Sequence, residues 1–151
     1  MLSAFLPQHA DNAYHGHKLA LWIFAVVVFL RVVMSLNSFL NARTTVRYAD
    51  GIPIDTYVPA AEQTFVSVFS LVGLYSFIIC LMCVLVLLQY RSLVPVMFVL
   101  LLLQSLGGRL IPRFLPMIRT GTPSGVYVNW ILLALIVTGL AFSIPWRSGS
   151  V

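Results

Sequence analysis

The sequence predicts an all-α membrane protein, a bundle of four transmembrane helices, and three observations support that class. The segments 19–40, 65–88, 93–108 and 126–144 hold a single charge between them, Arg31. A bilayer core about 30 Å thick needs about 20 apolar residues in a helix, so two segments span it alone and two with their flanking residues. Hydrophobic residues make up 60% of the chain and charged residues 9%, against about 25% charged in soluble domains. The gaps are short, which leaves one integral membrane domain, 1–151.

The first helix is predicted at about 19–40, after a polar N-terminal segment, 1–18. Trp22 lies one turn inside the helix, where an interfacial aromatic anchor is expected. No Lys or Arg precedes Lys18, and no small-x-small cleavage pattern follows the apolar run. These features favour a retained span over a signal peptide.

The second and third helices are predicted at about 65–90 and 92–111. The link between them, at Tyr90-Arg91, is so short that the two helices must form an antiparallel hairpin. Pro95 falls in the first turn of the third helix, where its missing N–H costs little.

The fourth helix is predicted at about 126–144, after the turn-forming residues 122–125. Two longer connections remain. The partly apolar loop 41–64 alternates apolar and turn-forming residues, so we expect it to fold back on the helix ends. The loop 107–125 is basic and broken by prolines, which is typical of an interfacial segment. We expect lipid-headgroup contacts there from Arg109, Arg113 and Arg119.

Arg31 is the residue that the lipid environment explains least. It lies near the middle of the first span, where an arginine costs about 2.5–3.5 kcal/mol to insert, so it must face protein or water. Ser35 follows one turn later on the same helix face. Gln104 and Asn129, in the third and fourth spans, are candidates to complete a polar intramembrane site. The site either binds an anion or polar head group, or holds a purely structural arginine.

A carboxylate partner for Arg31 would have to come from a loop, because no Asp or Glu lies in any span. We expect Asp55 or Glu62 to come closest to it. The alternative is that these acids favour the start of the second helix. The lack of an intramembrane carboxylate also argues against a proton- or sodium-coupled carrier.

Cys80 and Cys83 form a Cys-x-x-Cys pair inside the second span. The pair raises the hypothesis of a quinone-linked thiol redox enzyme, but such enzymes need further shuttle cysteines and this chain has two. With Ser70, Gly73 and Ser76, the cysteines also form a stripe of small residues that allows close helix packing. We favour packing and predict no catalytic residue.

No cofactor or metal is predicted. Three imidazoles, His9, His15 and His17, precede the first span without further ligands at suitable spacing. No span contains a histidine, which argues against haem between the helices. Basic residues lie mainly at the span ends, so lipid head groups rather than nucleic acid are the expected partners.

The orientation follows from the distribution of basic residues. The face that carries both termini has three of them, and the opposite face has five: Arg43, Arg47, Arg109, Arg113 and Arg119. The positive-inside rule then places both termini on the same side, outside the cytoplasm.

Four features recur in a known group: an arginine in the first span (Arg31), the apolar loop 51–59, Gly73-Leu74 and Tyr90-Arg91. In hydropathy and spacing, the chain resembles the DoxX-like small bacterial four-span membrane proteins. The resemblance implies a four-helix membrane fold and the bacterial inner membrane, and it carries over no functional residue.

Together these observations predict a non-catalytic multi-pass membrane protein that is accessory to others or binds a small amphiphile or lipid. Membrane lipids are the expected partners, with a homo-oligomer or a larger membrane complex as further possibilities. Two alternatives stay open: thiol redox chemistry at Cys80 and Cys83, and anion transport built on Arg31.

Overall fold

A computed structural model of the protein describes residues 12, 14, 16–116, 118–120 and 124–144. Four long helices dominate it: α1 Lys18–Leu40, α2 Pro59–Gln89, α3 Val94–Phe114 and α4 Ser124–Ser143. Each is long and apolar enough to cross a membrane, and the described residues contain no strand. The predicted class, an all-α bundle of four membrane-spanning helices, is therefore confirmed. Most of the polar segment 1–18 and part of the loop 107–125 lie outside the described residues.

Two helices are longer than the uncharged segments that predicted them. α2 begins at Pro59, whose fixed φ suits a first helical position, and Glu62 in its first turn favours the positive end of the helix dipole. α3 follows a short 3₁₀ turn, continues past the predicted end at 111 and stops at Phe114. Pro112 is tolerated because it lies in the last turn of α3, where it removes one hydrogen bond without breaking a long helix.

The main core forms where the four helices meet. The rings of Phe24 and Phe98 pack edge to face with centroids 5.0 Å apart, a favoured aromatic geometry. Gly139 of α4 lies directly under the Phe98 ring, where a Cβ would collide with it. Eleven buried residues make up this core: Ala20, Phe24, Val27, Val28, Cys83, Val86, Val94, Phe98, Leu101, Leu132 and Ile136.

α1 and α2 pack closely against each other at Gly73. A Cβ on this glycine would lie 2.7 Å from the backbone nitrogen of Phe39. One turn earlier, the Ser70 hydroxyl donates to the Phe39 carbonyl at 2.7 Å. Cys80 and Cys83 continue the same stripe and are buried. The helix-packing surface predicted for this stripe is thus observed at Ser70, Gly73 and Cys83. Ser76 and Cys80 line a cavity.

The connection between α1 and α2 folds over the helix ends, as predicted. It contains a one-turn helix, Ala42–Thr44, a π-helical turn, Thr45–Ala49, and a 3₁₀ turn, Ile54–Thr56. We call residues 42–58 the end cap. Its apolar side chains are buried against the first turns of α2 in a small second core: Val46, Ile52 and Ile54 on Phe65, Val66 and Phe69.

At the opposite end of the bundle, the start of α1 lies beside the end of α4. The His17 backbone N–H donates to the Phe142 carbonyl at 3.2 Å, and the His17 side chain caps α1 by accepting from the Leu19 N–H. His17 is therefore used structurally, and the described residues hold no cluster of three potential metal ligands. His9 and His15 lie outside the described residues.

Candidate functional site

Arg31 reaches from the middle of α1 to α3, where two neighbouring side chains hold its guanidinium. Its Nη1 donates to Oε1 of Gln104 at 3.3 Å, and its Nη2 donates to the hydroxyl of Ser105. The pairing with Gln104 joins two predicted site residues. Ser105 was not predicted, because a lone serine in an apolar span carries no signal until the rotation of α3 is known.

Gln104 also connects Arg31 to α2. The Nε2 of Gln104 donates to the Ser76 hydroxyl at 3.2 Å, so its oxygen faces Arg31 and its nitrogen faces Ser76. Ser105 in turn donates to the Leu101 carbonyl at 2.8 Å. Three helices thus meet in one polar network, α1 through Arg31, α3 through Gln104 and α2 through Ser76.

The network leaves part of the arginine without partners. A guanidinium has five N–H donors, and the two contacts above use two of them. The Nε of Arg31 is buried and has no hydrogen-bond partner among the described residues. A buried unpaired donor costs about 1–3 kcal/mol, and more when it is charged. The site therefore favours an additional acceptor, above all a negatively charged one.

A half-enclosed cavity of about 140 Å³ lies beside Arg31. It has room for a few water molecules or for a group the size of a carboxylate or phosphate. Its wall is polar on one part and apolar on the other. The polar part comprises Arg31, Ser35, Ser38, Ser76, Cys80 and Gln104, and the apolar part comprises Met34, Phe69, Val72 and Gly73.

Ser35 lies in this wall, as the helical spacing from Arg31 predicted. It is buried, and its hydroxyl donates to the Val32 carbonyl at 3.1 Å and lies 3.9 Å from the sulfur of Cys80. Three of the four predicted site residues, Arg31, Ser35 and Gln104, are therefore together.

The fourth predicted site residue, Asn129, lies elsewhere and its assignment to the site is corrected. It is exposed near the start of α4, and it does not belong to the cavity wall. Its backbone carbonyl accepts a 2.9 Å bond from Nη2 of Arg109. The reason is rotational: the position of α4 around the bundle turns this residue away from α1, which span order alone does not reveal.

The pairing of Asp55 or Glu62 with Arg31 is also corrected. Glu62 lies 2.7 Å from Nη2 of Arg43, and Asp55 lies 3.1 Å from Nε of Arg47. Arg31 is nine residues before the end of α1, about 14 Å along a helix axis, so acids at the helix ends lie too far away. Within the described part of the chain, no carboxylate forms a salt bridge with Arg31.

Arg109 contacts protein on α4, and its expected contact with lipid head groups stays a prediction. Its guanidinium lies 3.8 Å above the ring centre of Trp130, a cation–π geometry, and it also bonds to α4 through the Asn129 carbonyl. This arginine ties α3 to α4. Arg113 and Arg119 are exposed, and their contact with head groups stays a prediction.

The charge of Arg119 acts on Asp50 in the end cap. Burial raises the pKa of the Asp50 carboxyl above its ordinary value, and the positive charge of Arg119 offsets part of that rise. The same two segments are joined by the Thr120 N–H, which donates to the Gly51 carbonyl at 2.8 Å. Gly51 has a φ of 66°, which a glycine adopts without steric cost.

The two cysteines have different surroundings. Cys83 is fully buried in the main core, whereas Cys80 forms part of the wall of the Arg31 cavity. Both are free thiols. Both help to pack α2, and Cys80 alone adjoins a space that a ligand can enter.

Comparison of the chain with protein-family models, with curated proteins and with solved structures finds no significant match. The resemblance to DoxX-like proteins therefore stays a prediction.

Proposed function

We propose that this protein is a non-catalytic membrane protein that binds a small amphiphile, with the anionic head group of the ligand in the Arg31 cavity. One observation carries the proposal: the Nε of Arg31 is buried and finds no hydrogen-bond partner in the part of the chain that the structure describes, and the same side chain lines the cavity. An anionic head group would supply both the missing acceptor and the missing countercharge.

The energies of membrane insertion and of hydrogen bonding favour a bound ligand over a purely structural arginine. A mid-span arginine costs about 2.5–3.5 kcal/mol to insert, whereas a side-chain hydrogen bond between membrane helices contributes about 0.6 kcal/mol on average. The bonds to Gln104 and Ser105 are made to neutral groups and offset about a third to a half of that cost. A bound anion would offset the rest.

The shape of the cavity supports entry from the lipid. Val72 belongs to the cavity wall and is also 55% exposed on the outer surface of α2. A ligand could therefore slide in from the bilayer, with its tail against Val72 and Phe69 and its head group at Arg31. This arrangement suits a molecule that is apolar at one end and charged at the other.

The cellular setting is part of the proposal. We infer a protein of the bacterial inner membrane with both termini on one side, outside the cytoplasm, and with lipids, a second copy or another membrane protein as partners. The bond between His17 and Phe142 supports the topology, because it brings the start of α1 and the end of α4 to one end of the bundle.

Two other functions can be separated from binding by experiment. A thiol redox enzyme would need both Cys80 and Cys83, and Cys83 lies outside the wall of the Arg31 cavity. The single variant Cys83→Ala should therefore keep amphiphile binding if the thiols only pack. An anion pathway needs water around Arg31, so water-accessibility labelling that finds the cavity dry would exclude transport.

Binding is tested with purified protein in detergent and three twelve-carbon probes, laurate, dodecyl phosphate and dodecanol. We expect the anionic probes to bind at least about tenfold more tightly than the alcohol, because hydrogen bonds to charged groups are worth about 1.5–3 kcal/mol. The laurate and phosphate arms identify which anion the site prefers. Arg31→Gln should abolish the preference.

Arg113→Gln is the matched control, since it removes an exposed charge from the last turn of α3 outside the cavity. It should bind like the wild type. Equal affinity for the alcohol and the anions, or an unchanged preference in Arg31→Gln, would overturn the proposal.

A further inference from the structure

A second depression lies on the surface where α1 ends and α2 begins. It consists of two adjoining open spaces of about 710 and 330 Å³ that share Arg43, Val66 and Ser67. We call it the interface groove. It has no lining residue in common with the Arg31 cavity, so what binds there is independent of the function proposed above.

The charged end of the interface groove is formed by Arg43 and Glu62, whose side chains pair at 2.7 Å. The side chain of Arg43 is 67% exposed and that of Glu62 is 18% exposed. The contact uses one oxygen of Glu62 and leaves most of the five N–H donors of Arg43 for other acceptors. A positive and a negative group are thus presented side by side in the same groove.

The other end of the interface groove is apolar and lies deeper in the predicted membrane. Leu40 of α1 and Leu71 of α2 line it and are exposed. Leu71 is nine residues beyond Glu62, about 14 Å along the helix axis. The charged pair lies just outside the uncharged segments, at the level where lipid head groups are expected.

We propose that the interface groove binds a phospholipid whose head group carries both a phosphate and a primary ammonium, the phosphoethanolamine type. The lipid phosphate accepts hydrogen bonds from Arg43, and the ammonium donates to Glu62. The acyl chains continue past Leu71 into the bilayer. The head group has no net charge, and it matches a protein pair that has no net charge either.

Charge complementarity separates this occupant from other lipids. A choline head group has no N–H and cannot donate to Glu62. A purely anionic head group gains Arg43 but meets the like charge of Glu62. Of these three types, the phosphoethanolamine head group satisfies both residues.

The test uses native mass spectrometry of the delipidated full-length protein, titrated with synthetic phosphatidylethanolamine, phosphatidylcholine and phosphatidylglycerol of identical acyl chains. We expect phosphatidylethanolamine to bind about fivefold more tightly than phosphatidylcholine, the range of a partly exposed ion pair. Glu62→Gln should remove this preference and favour phosphatidylglycerol instead.

Asp55→Asn is the matched control. Asp55 lies in the end cap and forms a comparable ion pair, with Arg47, which is 50% exposed. Asp55 is outside the interface groove. The variant should leave the lipid preference unchanged.

A second variant keeps the test decisive if Glu62→Gln does not fold. Ser67→Phe places a ring on the exposed floor of the interface groove and should weaken binding of phosphatidylethanolamine without a change in the Arg43–Glu62 pair. Equal binding of the ethanolamine and choline lipids by the wild type, or an anionic lipid bound more tightly than either, would overturn the proposal. So would a Ser67→Phe variant that binds phosphatidylethanolamine like the wild type.

Discussion

Arg31 on α1 and Gln104 on α3 lie 73 residues apart in the chain and are joined by a 3.3 Å hydrogen bond between Nη1 and Oε1. Gln104 is neutral, so the bond orients the guanidinium without neutralising it. The orientation leaves Nε beside a cavity and without a hydrogen-bond partner from residues 16–116, 118–120 and 124–144. Four predictions follow from this geometry and from the contacts around it.

Arg31→Met should lose no more than about 1 kcal/mol of stability, because the two hydrogen bonds that it removes are worth about 0.6 kcal/mol each. It also removes the cost of the buried Nε, which has no partner among the described residues. If Arg31 were essential to the packing of the bundle, the variant would lose about 3–5 kcal/mol of stability, as when a buried ion pair is broken. Thermal unfolding in detergent gives the answer. Arg109→Met is the control and should lose about 1–2 kcal/mol, since it removes the contacts with Trp130 and the Asn129 carbonyl.

Gly73→Ala should destabilise the bundle by about 1–3 kcal/mol, the usual cost of an overpacked contact. The new Cβ would lie 2.7 Å from a backbone nitrogen of α1, and a backbone cannot move aside as a side chain does. Gly107→Ala is the matched change in α3, where a Cβ meets nothing within 4 Å. It should be neutral or stabilising by about 0.5–1 kcal/mol. Equal effects of the two variants in thermal unfolding would contradict the α1–α2 packing.

Asp50→Asn should remove a pH dependence of stability. Burial raises the pKa of the Asp50 carboxyl above its ordinary 3.8, so the folded state favours the protonated form. This contribution to stability is fully present below pH 3.8 and is lost as the pH rises through the higher folded-state pKa. Above that pKa, the variant should therefore be at least as stable as the wild type.

The prediction is checked by the melting temperatures of the wild type and of Asp50→Asn, measured from about pH 4 to about pH 8. The stability advantage of the variant over the wild type should shrink as the pH falls, because protonation of Asp50 stabilises the folded wild type. Thr56→Ala, which changes the same segment without removing a titratable group, should not reproduce this trend. A difference that does not vary with pH would refute the prediction.

Ser76→Ala and Gln104→Leu should be energetically coupled, because the two side chains share a 3.2 Å hydrogen bond between α2 and α3. A double-mutant cycle should give about 0.6 kcal/mol and not more than about 1.7 kcal/mol. Thr64→Ala combined with Gln104→Leu is the control, since the Thr64 hydroxyl bonds only within its own helix, to the Ala60 carbonyl. That pair should be additive within about 0.5 kcal/mol.

The ends of α2 and α3 show what hydropathy can and cannot predict. The segment 65–88 located α2 correctly but missed its first turns, which begin at Pro59. A run of residues without charges indicates which part of the chain can lie in lipid. A helix, in contrast, continues for as long as its backbone hydrogen bonds can form. Glu62 in α2 and Arg113 in α3 are compatible with helix outside the bilayer core, so a charge did not mark the helix end.

The Arg31 site was predicted in part. Ser35 follows from helical periodicity within α1, which is local information. Gln104 was proposed because polar side chains in a span seek partners in other helices. Asn129 was proposed on the same ground and is turned away from the cavity, and Ser76 was recognised only as a packing residue. Equal polarity in a sequence therefore does not distinguish a residue that faces the bundle interior from one that does not.

Hydropathy was sufficient for the membrane class, the four spans and the anomaly of Arg31, because each rests on the energy of moving one segment from water into lipid. The partners of Arg31, the cavity beside it and the pairing of Glu62 with Arg43 depend on how each helix is rotated and how deep it sits. Those variables are set by contacts between helices such as Gly73 against Phe39. Such contacts join residues distant in the chain, so no pattern within a single segment encodes them.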